Sequence, residues 1–145
     1  MVGAYQLTRA FAPLLQEHKP ESPLSKHAAV VNISSIASMM GRGSSIAYMA
    51  SKGALNAMTV GLARALAPHI RVNAVAPGLV ETPWLKEGLG ERYAPSRAAW
   101  ADQAALQDVL QPEDVGDAVW WLGAGALKTT GEVLLLDAGF RLAKA

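Results

Sequence analysis

At 145 residues, with 51% hydrophobic and 17% charged side chains, the chain is long enough for one domain with a buried core and too apolar to be disordered. Thirteen basic residues against twelve acidic ones leave a formal charge of +1, without the basic excess of a nucleic-acid or anionic-membrane binder. Cysteine is absent, which removes disulfide and thiolate chemistry.

The opening "MVGAYQLTRAFAPLLQEHKP" has no basic stretch before its apolar part and no small-residue cleavage site, so it does not read as a leader. No apolar run is long enough to span a bilayer. The expectation is a cytoplasmic protein with no membrane or nucleic-acid partner. Tyr5, Ala10, Leu14 and Leu15 recur at helical spacing and predict a helix over 2–17. The polar "KPESPLSKH" at 19–27 carries two prolines and reads as a loop. "AAVVNIS" at 28–34 is short, apolar and β-branched, as a strand buried on both faces should be. After the loop "GRGSS" at 41–45, residues 45–67 are rich in Ala, Leu and Met and predict a long helix. "HIRVNAVAPG" gives a second buried strand, stopped by Pro77 and Gly78. Residues 79–107 are irregular, with one or two short helices and the aromatic residues Trp84, Tyr93 and Trp100. "QPEDVGDAVWWLGAGAL" starts a helix well, with Pro112 near its first position and Glu113 and Asp114 in its first turn. "GEVLLLDAG" supplies a third strand over 132–136. The order α-β-α-β-α-β predicts parallel strands joined by right-handed helical crossovers. Three strands make a small sheet, and the first helix has no strand before it, so the chain reads as beginning inside an α/β domain. Neither repeats nor low-complexity segments occur.

The chemistry concentrates in "SSIASMMGRGSSIAYMASKGALNAM". Tyr48 and Lys52 stand at i and i+4, on one helix face and one turn apart. An ammonium near a phenol favours the phenolate, so this spacing predicts a tyrosine tuned for proton exchange with an alcohol or ketone oxygen. Ser35 lies thirteen residues earlier, at the end of the first predicted strand, where open parallel sheets face their ligand crevice. A bare Y-x-x-x-K also fits a half-buried helix residue beside a solvated charge, with Ser35 a turn residue. The whole ordered set of motifs decides between the two.

That set, "VVNISS", "YMASKGAL", "IRVNAVAPGLVETP" and "GEVLLLDAGF", resembles the short-chain dehydrogenase/reductase family over residues 3–142. The resemblance implies the C-terminal part of a single Rossmann-like domain over 1–145. Its fold would be α/β, a partial doubly wound parallel sheet with three strands of the family's usual seven. Residues 79–107 would be its substrate-loop region. It implies hydride transfer between NAD or NADP and a carbonyl or alcohol substrate. Tyr48 would be the general acid/base, Ser35 would polarise the substrate oxygen, and Lys52 would lower the tyrosine pKa and bond the nicotinamide ribose. Pro77, Gly78, Val80 and Thr82 would line the nicotinamide pocket beside Tyr48 and Lys52. It also implies a homodimer or homotetramer through the helices at 2–17 and 45–67. Tyr5, Thr8, Phe11, Ala12 and Leu15 would form one stripe of that interface, and Ala54, Ala57, Met58, Gly61, Leu62 and Ala65 the other.

Departures from the family pattern carry expectations too. The glycine-rich dinucleotide fingerprint and the adenosine-ribose selector are not in this sequence, and the family's catalytic asparagine aligns just before Met1. The expectation is therefore a chain lacking the cofactor-fingerprint half. The alternative is a truncated, inactive fragment, or an oligomerisation remnant that does not bind the cofactor. "GRG" at 41–43 and "GAGALKTTG" at 123–131 fail the spacing of a phosphate loop. The usual Asp-Gly-Gly end is Asp137-Ala138-Gly139 here. His18, His27 and His69 lack metal-ligand spacing, so no metal site is expected. Asn32 and Asn73 read as structural, the methionines as gap fillers, and Trp120 and Trp121 as packing residues. Trp84, Tyr93 and Trp100 read as either an apolar substrate wall or simple packing.

Overall fold

The computed structural model describes residues 2–17 and 27–142. His18 and all but the last residue of the loop predicted at 19–27 lie outside the described residues. Three strands, β1 (Ala28–Ile33), β2 (Ile70–Pro77) and β3 (Val133–Leu136), form a parallel sheet in the order β1-β2-β3. Val30 pairs with Val72, and Ala74 with Val133. Every residue of the central strand β2 is buried, the result expected of an uninterrupted apolar run in a parallel sheet covered on both faces.

The described residues also form six helices: α1 (Val2–Gln16), α2 (Ala37–Met40), α3 (Ile46–Leu66), α4 (Pro83–Leu89), α5 (Tyr93–Gln103) and α6 (Pro112–Trp120). α1 and α3 cover one face, where Ala12, Leu15, Leu62 and Ala63 pack on Val30, Ile70 and Val72. α6 covers the other, where Ala118 and Leu122 pack on Val31, Val75 and Leu134. This is a Rossmann-like, doubly wound arrangement. A third cluster, Ile36, Ala104 and Phe140 with Trp100, sits beyond the strand ends. The stretch predicted as irregular holds α4 and α5, joined by a 3-10 turn at Gly90–Arg92. α2 was not foreseen, and α6 runs on into a π-turn, Trp121–Gly125. Among the described residues, no helix is long and apolar enough to cross a membrane.

Two expectations about faces are corrected. Trp120 and Trp121 are 69% and 48% exposed, because Val115, Ala118, Val119 and Leu122 take the inward face of α6. Of the stripe expected on α1, Thr8 is buried with its hydroxyl donating to the Ala4 carbonyl at 2.8 Å, and Ala12 and Leu15 pack on the chain's own core. Tyr5 and Phe11 point outward. On α3, Leu62 turns to the core while Ala57, Gly61 and Ala65 are exposed.

The polar residues of the strands are built into the fold. Asn32 Nδ2 donates to Thr59 Oγ1 at 2.9 Å, tying β1 to α3. Asn73 donates to the Thr129 carbonyl at 2.9 Å and accepts from the Glu132 N–H at 3.0 Å, fixing the entry to β3. The buried Arg71 guanidinium donates to the carbonyls of Leu122, Ala126 and Thr129 at 2.7, 3.1 and 3.2 Å, and of Gly123 at 2.6 Å. Residues 122–129 thus turn carbonyls toward a cation, a polarity opposite to that of a phosphate loop.

Candidate active site

The site forms at the C-terminal ends of β1 and β2. The ladder between them outlasts β1: the Ser34 N–H donates to the Val75 carbonyl at 2.7 Å and the Ile36 N–H to the Pro77 carbonyl at 3.0 Å. Ser35 is therefore held beside Pro77 and Gly78. Its hydroxyl accepts from the Ala37 N–H at 3.2 Å, which starts α2 and leaves the O–H proton available to a ligand.

Ser45 starts α3 as its N-cap, accepting from the Tyr48 N–H at 3.1 Å, so the first turn of the helix presents Tyr48. One turn on, Lys52 Nζ donates to the Ile33 carbonyl at 2.7 Å and lies 5.7 Å from the Tyr48 ring centroid. The last carbonyl of β1 thus fixes the ammonium beside the phenol and leaves two of its three donors for a ligand.

Ser35, Tyr48 and Lys52 share one cleft of ≈ 290 Å³ with Pro77, Gly78, Val80 and Thr82, so all the residues singled out from the sequence converge. A Cβ on Gly78 would come within 3.2 Å of the Asp137 Cα, so the turn after β2 packs directly against the end of β3. Val80 pairs with Leu110 in an isolated parallel bridge. Thr82 caps α4, its hydroxyl accepting from the Leu85 N–H at 3.2 Å and keeping its proton free to donate.

The segment after β2 is anchored by Glu81. Its carboxylate meets Lys86 Nζ at 3.0 Å, Arg97 Nε at 3.2 Å and Gln111 Nε2 at 3.0 Å. The neighbouring Tyr93 phenol, ahead of Gln111, Lys86 and Arg97, holds the Glu81 carboxyl well below the usual carboxylate range, although the buried Tyr93 hydroxyl makes no hydrogen bond of ordinary geometry. Burial, then Glu81, pushes the Tyr93 phenol up, and Glu81 pushes the Arg97 guanidinium up. One carboxylate so ties α4, α5 and the start of α6 together. Of the aromatic residues read as a substrate wall, Trp84 and Trp100 line a larger adjoining cavity of ≈ 500 Å³ that also reaches Ser35 and Tyr48. Tyr93 belongs to the Glu81 anchor instead.

A family model described as Enoyl-(Acyl carrier protein) reductase matches residues 1–141. The chain belongs to the short-chain dehydrogenase/reductase family. It is 42% identical over 142 residues to a protein of Streptomyces violaceoruber named as a ketoacyl reductase of the granaticin polyketide synthase, covering 98% of this chain and 53% of that one. YusR of Bacillus subtilis, a short-chain dehydrogenase/reductase homolog, is 36% identical over 96% of this chain and 98% of its own length. Among solved structures, a short-chain dehydrogenase/reductase from Burkholderia xenovorans superposes with a TM-score of 0.85 at 41% identity, covering 99% of this chain and 52% of that one. The chain thus spans about half the length of the Streptomyces and Burkholderia relatives and nearly all of YusR.

Three residues that brace this short-chain dehydrogenase/reductase cleft, Ser34, Ser38 and Asn56, were not singled out from the sequence. The Ser34 hydroxyl bonds the Asn56 side-chain oxygen, and Asn56 Nδ2 donates to Ser38 Oγ at 2.8 Å. These bonds lock the rotation of α3 against the β1–α2 turn and so aim Tyr48 and Lys52 at the strand ends. The signal was present: Asn56 continues the Tyr48, Lys52 spacing by another four residues, on the same helix face.

Proposed function

We propose that residues 1–145 form the catalytic, nicotinamide-facing part of an oxidoreductase that interconverts an alcohol and a carbonyl compound with NAD or NADP. The observation that carries this reading is the convergence of Ser35, Tyr48 and Lys52 on one cleft at the strand ends, with Lys52 fixed by the Ile33 carbonyl. The cleft suits a nicotinamide ring in size and chemistry: Pro77, Gly78 and Val80 give an apolar wall, and Thr82 a hydroxyl for a carboxamide. The free donors of Lys52 suit ribose hydroxyls. A nicotinamide held by these residues would supply the hydride chemistry at the carbinol carbon.

The protein's own part is proton handling and orientation. Ser35 Oγ donates a hydrogen bond to the substrate oxygen and fixes it against Tyr48. In oxidation, Tyr48 Oη takes the hydroxyl proton as the hydride leaves; in reduction, it returns that proton to the carbonyl oxygen. The Lys52 ammonium stabilises the negative charge that develops on Tyr48 Oη. The 79–107 region supplies the substrate wall, with the Glu81 cluster as its anchor. The protein is a homodimer or homotetramer through the helices at 2–17 and 45–67, with Tyr5, Phe11, Ala57, Gly61 and Ala65 on the exposed faces that meet.

Lys52→Ala in the complete enzyme tests the double role of this residue. Both cofactor affinity and kcat fall, the latter by about 100-fold or more. A variant that loses only one of the two contradicts the arrangement.

A further inference from the structure

The cavity of ≈ 500 Å³ beside Tyr48 has a composition that selects its ligand. Its walls are mainly apolar, with Ile36, Leu79, Leu85, Leu89, Trp84 and Trp100 among them. Its lining holds one charged side chain, Arg42, and no carboxylate. An adjoining hollow of ≈ 300 Å³ shares Arg42 and Trp100, adds Phe140, and again has no acidic lining. The Arg42 guanidinium carbon lies 5.9 Å from the Phe140 ring centroid, and Phe140 is buried and stacked on Trp100 at 3.7 Å. Of the other cations near this region, Lys86 and Arg97 pair with Glu81, Arg141 pairs with Asp137, and Lys52 is held by the Ile33 carbonyl in the adjoining cleft. Among the described residues, Arg42 makes no ion pair.

The loop carrying Arg42 is held in place. Gly41 ends α2 in the left-handed region at φ 63°, which turns the chain at that point. Gly43 packs so closely that an added Cβ would lie 2.9 Å from the Ala37 Cβ and 3.1 Å from the Met49 Cγ. Arg42 is therefore set between two constrained glycines at the cavity wall. A guanidinium there, over an aromatic ring and beside apolar walls, has N–H donors that no carboxylate among the described residues uses. Its planar fork matches a carboxylate in bidentate geometry, and because Arg42 is exposed the contact relies on that geometry rather than on burial.

We propose that Arg42 binds a carboxylate on the substrate. The substrate class is then an apolar-bodied secondary alcohol or ketone that carries a carboxylate at the end remote from the reacting carbon. The walls bury the hydrocarbon body, Ser35 and Tyr48 take the reacting oxygen, and Arg42 takes the acid. A polyhydroxylated substrate finds few side-chain partners on these walls, whose uncharged polar groups are the hydroxyls of Ser35, Ser44 and Tyr48 and the indole N–H groups of Trp84 and Trp100. This rests on the hydride-transfer reading for the reacting end only; the anion contact is independent of it.

The test is fluorescence titration of the chain, read at Trp84 and Trp100, with cyclohexanecarboxylate and with the uncharged cyclohexanecarboxamide. The carboxylate binds at least about tenfold more tightly than the amide. Arg42→Gln removes that preference with the fold intact by circular dichroism, and Arg42→Lys keeps part of it. Equal binding of the two ligands by the parent chain, no carboxylate binding, or an unchanged preference in Arg42→Gln overturns the proposal. In the complete enzyme the two failures separate. Turnover that depends on Tyr48 but shows no preference for keto acids counts against Arg42 alone. Carboxylate binding through Arg42 without turnover counts against the hydride-transfer reading alone.

Discussion

Arg71 offers the sharpest test of how the sheet is held to α6. Its side chain is 5% exposed and donates to four carbonyls of the turn that follows this helix. Arg71→Met keeps much of the aliphatic volume and removes every donor. The four acceptors do not suffer equally. Thr129 O keeps the Asn73 amide, and Ala126 O keeps the Thr129 N–H. The buried Leu122 carbonyl loses its donor at a cost of about 1–3 kcal/mol, and the half-buried Gly123 carbonyl loses its donor at a smaller one. Burial pulls the Arg71 pKa below its usual value, so the guanidinium is itself held at a desolvation cost that the variant relieves. The net expectation is a loss of about 2–3 kcal/mol, seen as a fall of roughly 5–10 °C in Tm by circular dichroism for a chain of this size. Arg71→Lys, with a single ammonium in place of the fork, falls between the two. An Arg71→Met chain as stable as the parent refutes the view that this turn depends on the buried cation.

Two further perturbations address the loop anchor and the assembly. The Glu81 carboxyl has a folded pKa below its unfolded one, so its stabilising contribution is full above the usual carboxylate pKa of about 4 and is lost as pH falls through the folded value. Glu81→Gln therefore lowers the urea midpoint at neutral pH, and its difference from the parent closes only in strong acid; a gap that widens on acidification contradicts the assignment. A side chain at Gly61 would meet nothing within 4 Å, so Gly61→Glu is tolerated by the single chain but places a charge on the proposed α3 interface. Sedimentation equilibrium is expected to show an oligomer for the parent and a monomer for the variant, and a variant that stays oligomeric refutes the interface.

The parts of the fold that were legible in the sequence are those with a strong one-dimensional signature. β1 and β2 are apolar runs flanked by turn residues; the structure buries β2 throughout, but β1, expected to be buried on both faces, is an edge strand that is only half-buried, with Ile33 exposed. The spacing of Tyr48 and Lys52 guarantees a shared helix face whatever the tertiary packing. α2 escaped because a four-residue "ASMM" segment is too short to show a period. Trp120 and Trp121 misled because hydrophobicity alone does not give a helix's rotation, and Val115, Ala118, Val119 and Leu122 hold the inward face so that both tryptophans point outward. The Glu81 cluster was invisible for another reason: its partners Lys86, Tyr93, Arg97 and Gln111 are scattered over the following thirty residues and meet only once α4 and α5 fold back. Arg42, in a glycine-containing loop, looks like any solvated charge until Phe140 and the apolar cavity are placed beside it.

The central claim is that Tyr48 exchanges the proton while the surrounding cleft binds the cofactor. It is tested most directly by Tyr48→Phe in the complete enzyme, with single-turnover hydride transfer followed by reduced-nicotinamide absorbance and cofactor affinity measured on the same preparation. Removing only the hydroxyl should lower the transfer rate by about 100-fold or more. The dissociation constant of the cofactor should stay within about twofold, because Lys52 remains fixed by the Ile33 carbonyl. Transfer at near the parental rate by Tyr48→Phe, with cofactor bound, would contradict the account.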